Sequence, residues 1–202
     1  QSYGEAVSLG ANTTLTSTSA GNIGFADTLN GLFTLAINTT GDTVFGGAVG
    51  NSAALVSLST NAGGTVEISG GSVRTSGAQT FGEAATLGAD TTLTGTGVTF
   101  GSTVQGNTSA RSLTVVAGAG DVIFTGELGG VSGLISDVVV NSGGITRFSA
   151  PVQVASLQTN ATGTVEINTS GVTTTGTQSY GESVTLGADT TLTASGVTFG
   201  GT

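Results

Sequence analysis

No cysteine, histidine, lysine, methionine or tryptophan occurs in these 202 residues, and proline occurs once, at Pro151. Each absence closes off some chemistry. Without cysteine there is neither a disulfide framework nor a thiolate metal site. Without histidine and lysine there is no Ser-His-Asp or Cys-His triad, no Schiff base and no imidazole ligand. Charge is scarce too, at 7% of residues, and mostly negative: the basic residues are Arg74, Arg111 and Arg147, and the net charge is −9. A nucleic-acid partner would need clustered Lys and Arg to meet phosphates, so none is expected. No apolar run reaches the roughly 18 residues of a membrane-spanning helix. Disordered chains combine high net charge with low hydrophobicity, whereas 37% of this one is hydrophobic.

What the chain has is repetition. Gln1–Thr16 (QSYGEAVSLGANTTLT), Gln79–Thr94 (QTFGEAATLGADTTLT) and Gln178–Thr193 (QSYGESVTLGADTTLT) differ only by mild exchanges. The copies start 78 and 99 residues apart, and the two intervals differ by 21. A difference of that size suggests whole units added or dropped, as in a stacked protein whose units touch only their neighbours. The chain opens inside a repeat, which reads as a piece of something longer. Its two ends (residues 1–5 and 198–202) carry no polar cap of the kind that protects a solenoid end, so further coils or copies are expected above and below.

Aromatic residues mark a shorter period. Tyr3, Phe25, Phe45, Phe81, Phe100, Phe124, Phe148, Tyr180 and Phe199 follow one another at steps of 19 to 24 residues, apart from two wider gaps; Phe33 is the tenth ring. Each wide gap holds the same segment, TVEI, at Thr65–Ile68 and Thr164–Ile167, so Ile68 and Ile167 are expected to fill the missing positions. Short runs of Val, Ile, Thr and Phe alternate with turn formers such as Asn-Ala-Gly-Gly at 61–64 and Asn-Ser-Gly-Gly at 141–144. No window has a helical apolar period with caps. The spacing predicts an all-β fold, a right-handed parallel β-helix of about ten turns of roughly 20 residues, the hand following the usual crossover preference. It would form one segment over 1–202, with the nine rings as one internal structural stack. Arg147 stands where a Thr is usual, opposite Phe148, which suggests a bulge or slipped strand.

QSYGEAV-LGA-TTLT, the VTFG strands (Val98–Gly101, Val197–Gly200) and TVEI with its preceding Gly64 or Gly163 together resemble the repeat regions of large bacterial surface exoproteins. These are the filamentous-haemagglutinin-like, two-partner-secreted adhesins and related β-strand repeat proteins. The resemblance implies export through an outer-membrane pore, folding into a β-helical stalk at the cell surface, and no catalytic residues, cofactor or metal. It also implies receptors or glycans on host or neighbouring cells as partners.

Carboxylates are the remaining candidates for chemistry. Glu5, Glu83 and Glu182 share one repeat position; Asp90, Asp189 and Asn12 share another. A glycosidase pair must lie within about 5–10 Å, and equivalent positions several coils apart cannot meet. Glu67 with Glu83, and Glu166 with Glu182, fall on adjacent turns, where a shared polar face is the simpler reading. The Asn12 exchange suits a turn residue better than an acid. Thr clusters at 13–16, 91–94 and 190–193 raise ice binding, but they recur only once per long repeat. Sequons at Asn12, Asn38, Asn107, Asn160 and Asn168 are expected by chance in so Thr-rich a chain. The expected function is a structural and adhesive rod at the cell surface. A self-assembling filament is the alternative, with a polysaccharide-processing enzyme or an ice-binding protein behind it.

Overall fold

In the computed structural model, which describes residues 1–130, 135–160 and 162–201, short alternating strands wind into a parallel β-solenoid of about nine turns and ~21 residues per turn. No helix occurs among the described residues, so none of them forms a helix able to cross a membrane.

Three sheets form three faces, and each coil visits them in the same order. The first face has ten strands, from Ser2–Tyr3 to Thr191–Thr193. The second has seven, from Ser72–Arg74 to Gly196–Phe199. Bridges from Leu29 through Val49 to Val73 carry it down to Val7–Ser8 and Leu29–Asn30. The third has nine, from Thr13–Thr16 to Ser183–Leu186. Every strand pair is parallel, and the coil length varies from 19 residues (Gln79 to Val98) to 25 (Leu113 to Val138).

Alternation sorts the side chains, because successive residues of a strand point to opposite faces. In Val98–Phe100, Val98 and Phe100 are buried and Thr99 faces out. The inward Val, Ile, Leu and Phe of all three faces meet in one core, most of it fully buried. Glycine is required where TVEI begins. Gly64 and Gly163 sit at φ of 75° and 92°, and a methyl at either would overlap a carbonyl oxygen of the coil beneath, that of Gly41 or Gly144.

The long repeats are not whole numbers of coils. In the first copy, Ser2–Tyr3 lies on the first face, Val7–Ser8 on the second and Thr13–Thr16 on the third. The second copy begins on the third face with Gln79–Phe81, and the third begins on the second face with Thr177–Tyr180. Each copy is one circuit of the rod, entered one face earlier than the copy before.

This corrects the expectation of a single ring column. Tyr3, Phe25 and Phe45 stack on the first face at 5.0 and 5.8 Å. Phe81, Phe100, Phe124 and Phe148 stack on the third, each step 5.3 Å. Tyr180 and Phe199 stack on the second at 5.4 Å. Interplanar angles of 7° to 19° make each group an offset stack, the geometry aromatic pairs favour. Ile68 lies next to Phe45 in the ladder, and Ile167 next to Phe148. The columns then continue through aliphatic residues, Leu87 above Ile68 and Leu186 above Ile167.

The strand Ile145–Phe148 corrects a second expectation. It pairs on both sides without a bulge, Arg147 facing Ile123 below and Glu166 above. An outward position accepts any polar side chain, so no slip is needed. The register shifts fall instead between the long strands Arg111–Gly118 and Ile135–Ser142 on the second face.

Candidate functional site

Three groups of polar side chains recur with the long repeat, and all bind one coil to another. The first is the leading glutamine. Gln79 and Gln178 are fully buried at the corner between the second and third faces, and between the first and second, respectively. The Gln79 Nε2 donates to the carbonyl of Val73 in its own coil (3.2 Å) and of Thr94 in the next (2.9 Å). Gln178 repeats this with Val172 and Thr193, both at 3.0 Å. The ring two residues on completes the unit. Tyr180 Oη donates to Gln178 Oε1 at 3.0 Å, and Tyr3 Oη to Gln1 Oε1 at 3.1 Å. Phe81 has no hydroxyl, and Gln79 Oε1 is buried without a partner. Burial pushes the Tyr180 hydroxyl above its ordinary range.

The Asn12/Asp90 position forms the second group. Asn12 Oδ1 accepts the Thr34 amide at 3.0 Å and Asp90 Oδ1 the Ser112 amide at 3.0 Å, each 22 residues along. The acceptor oxygen is common to both residue types, which explains the exchange. The bond differs from the expected one: it joins coils instead of closing a local turn. Asn30 and Asp121 do the same for Ser52 and Ile145. Asp189 lies in the last coil and is exposed.

The third group is the shared glutamate. Glu5 is exposed in the first coil, but Glu83 and Glu182 are only 2% and 3% exposed. Thr60 Oγ1 donates to Glu83 Oε2 at 2.5 Å, and Thr159 Oγ1 to Glu182 Oε2 at 2.7 Å, each from the coil beneath. Burial raises both carboxyls above the usual carboxylate range, and the hydroxyl and nearby backbone amides offset only part of that. The polar face expected for these residues is therefore corrected. Glu67 and Glu166 face outward beside Thr86 and Thr185, while Glu83 and Glu182 turn into the corner. Glu67 accepts a hydrogen bond from Ser69, and Glu166 pairs with Arg147 at 2.6 Å. Neither expected pair shares a face, because one member of each lies on the outward side of its strand and the other is buried.

No cluster of three or more acidic residues able to hold a metal occurs among the described residues. The three Thr clusters lie on three different faces, so they form no common rank. The buried Gln and Glu roles escaped sequence reading, although their recurrence at fixed offsets from an aromatic residue was visible.

This fold defines the chain as a β-solenoid repeat protein. Comparison with protein-family models, curated proteins and solved structures finds no match.

Proposed function

We propose that the chain is a rod segment of a large secreted cell-surface protein, serving as a stiff spacer that presents its outer faces to receptors or glycans. The observation that carries the reading is the continuity of the first face, ten parallel strands from Ser2 to Thr193 without a break. Side-chain bonds from Gln, Asn, Asp and Glu tie successive coils at the corners as well. A rod loaded across its axis is resisted by every ladder and every corner bond at once. The outward positions are mostly Thr, Ser and Gln, as in Ser59, Thr80 and Thr99 on the third face. Such positions are rich in neutral donors and acceptors, which suits polar partners such as glycans. The resemblance to adhesin repeat regions supports the same assignment.

Binding of the purified chain to glycan arrays and cultured cells, with particle length measured alongside, tests this. A monodisperse rod about 45 Å long, from nine coils at the interstrand spacing, that binds a defined set of glycans or cells is expected. No binding to either would remove the adhesive part. Particles that lengthen with concentration would replace the stalk with a self-assembling filament.

A further inference from the structure

Glu83 and Glu182 occupy the same place in two copies of the repeat, each one residue beyond a ring and its glycine. Each offers one carboxyl oxygen to a threonine hydroxyl of the coil beneath, while the other oxygen, Oε1, is buried with no partner. An ionised carboxylate would leave a full charge beside that unpaired atom, which is costly in a dry core. No arginine answers it. Around Glu83, the strands Ser57–Thr60, Gln79–Phe81, Ala84–Leu87, Val98–Phe100 and Val104–Gly106 carry no ionisable side chain, and Thr65–Ile68 carries only the outward Glu67. Around Glu182, the strands Ser156–Thr159, Ser183–Leu186 and Gly196–Phe199 carry none, Thr177–Tyr180 carries only Tyr180, whose buried hydroxyl bonds Gln178 and is pushed above its ordinary range, and Thr164–Ile167 carries only Glu166, held by Arg147.

We propose that the buried Glu83 and Glu182 carboxyls are protonation-controlled latches between coils, closed when the carboxyl is neutral and loosened when it ionises in a corner that offers no counter-charge. The threonine hydroxyl donates to either form, and more strongly to the carboxylate, but it and the nearby backbone amides offset only part of what burial without a counter-charge costs the ionised form. The direction follows from linkage. Both folded-state values lie above the unfolded one, so the stabilisation is complete below the ordinary carboxylate pKa and is lost as pH rises through the folded value. The rod is tightest in acidic surroundings, and its two latches lie 99 residues apart, opening two joints along its length. Glu5, exposed in the first coil, serves as the internal control.

The test is denaturant unfolding of the full chain between about pH 4 and pH 8, comparing the wild type, the E83Q/E182Q double variant and E5Q. Hydrogen exchange over residues 57–68 is followed in parallel. In the wild type the folding constant is expected to fall by up to about tenfold per pH unit for each carboxyl once pH passes the ordinary carboxylate value. E83Q/E182Q should lose that slope and the pH dependence of exchange, and E5Q should keep both. An unchanged slope in the double variant would overturn the proposal. Should the double variant fail to fold, carboxyl-carbon NMR of the wild type decides it. Two of the six glutamates titrating high supports the latches, and all six titrating in the ordinary range overturns them.

Discussion

Gln79 carries the least satisfied polar atom with an evident remedy. In the first and third copies a tyrosine hydroxyl meets the glutamine oxygen; in the second, Phe81 leaves Gln79 Oε1 buried and alone. Phe81 and Tyr180 have matching surroundings, a threonine (Thr60 or Thr159) below and a phenylalanine (Phe100 or Phe199) above. Phe81→Tyr should therefore stabilise the chain by roughly 0.5–1.5 kcal/mol, the net worth of one hydrogen bond. Thermal unfolding checks this: a higher midpoint is expected, and a lower one would show that the hydroxyl does not reach. Gly64→Ala is the opposite case. Positive φ and a carbonyl in the methyl's path should cost more than the roughly 1 kcal/mol of an ordinary glycine exchange, read from the denaturation midpoint. In the sequence the Tyr/Phe difference looks like a mild swap, because a buried amide two residues away is invisible until the corner is folded. Gly64 and Gly163, by contrast, were legible as recurrent glycines before the same strand.

At the scale of strands, the ring stacks carry the packing and the surface pairs carry little. Phe100 is fully buried between Phe81 and Phe124, so Phe100→Ala should cost about 3–5 kcal/mol. The same change at Phe199, 53% exposed in the last coil, should cost far less. Urea midpoints of the two variants compare them directly. Arg147→Thr removes the Arg147–Glu166 pair, whose side chains are 36% and 29% exposed. Solvent screens so exposed a pair, so that variant should unfold at nearly the parent's urea midpoint. The all-β parallel architecture and the positions of most strands were legible, since alternation and turn residues speak locally. A finer signal was also present. Tyr3, Leu9, Leu15; Phe81, Leu87, Leu93; and Tyr180, Leu186, Leu192 each step by six. In the second copy those three residues fall on three different faces, all fully buried. Two steps of six carry the chain across two corners, and a third, longer step, seven residues from Leu93 to Phe100, closes the coil. Reading only the aromatic residues hid this, because leucine fills the same inward position.

For the molecule as a whole, the decisive quantity is the remainder left by the long repeat. Removing whole coils of 21 residues from intervals of 78 and 99 leaves 15 in both cases, close to two faces of the three. Each copy therefore enters the rod two faces further on, and the rings that recur with it cannot share a column. Arithmetic in the sequence held this result; the assumption that equivalent residues stack directly concealed it. Stacking also governs which deletions survive. Excising Val98–Asp121, one full coil on the third face, brings Phe124 onto Phe81 and should leave a cooperatively folding rod. Excising only 98–109 should not, because Ser112 would take the inward place of Phe100 and Leu113 the corner place of Gly101; circular dichroism and melting cooperativity separate the outcomes. The winding itself is tested most directly by disulfide trapping, which the cysteine-free background allows without interference. Glu67 and Thr86 are outward ladder partners on the first face, whereas Thr80 lies on the third. Three-face winding predicts that E67C/T86C cross-links readily and E67C/T80C does not, as read by mass. Ready cross-linking of the Glu67–Thr80 pair with none at Glu67–Thr86 would contradict it, placing the rings back in one column.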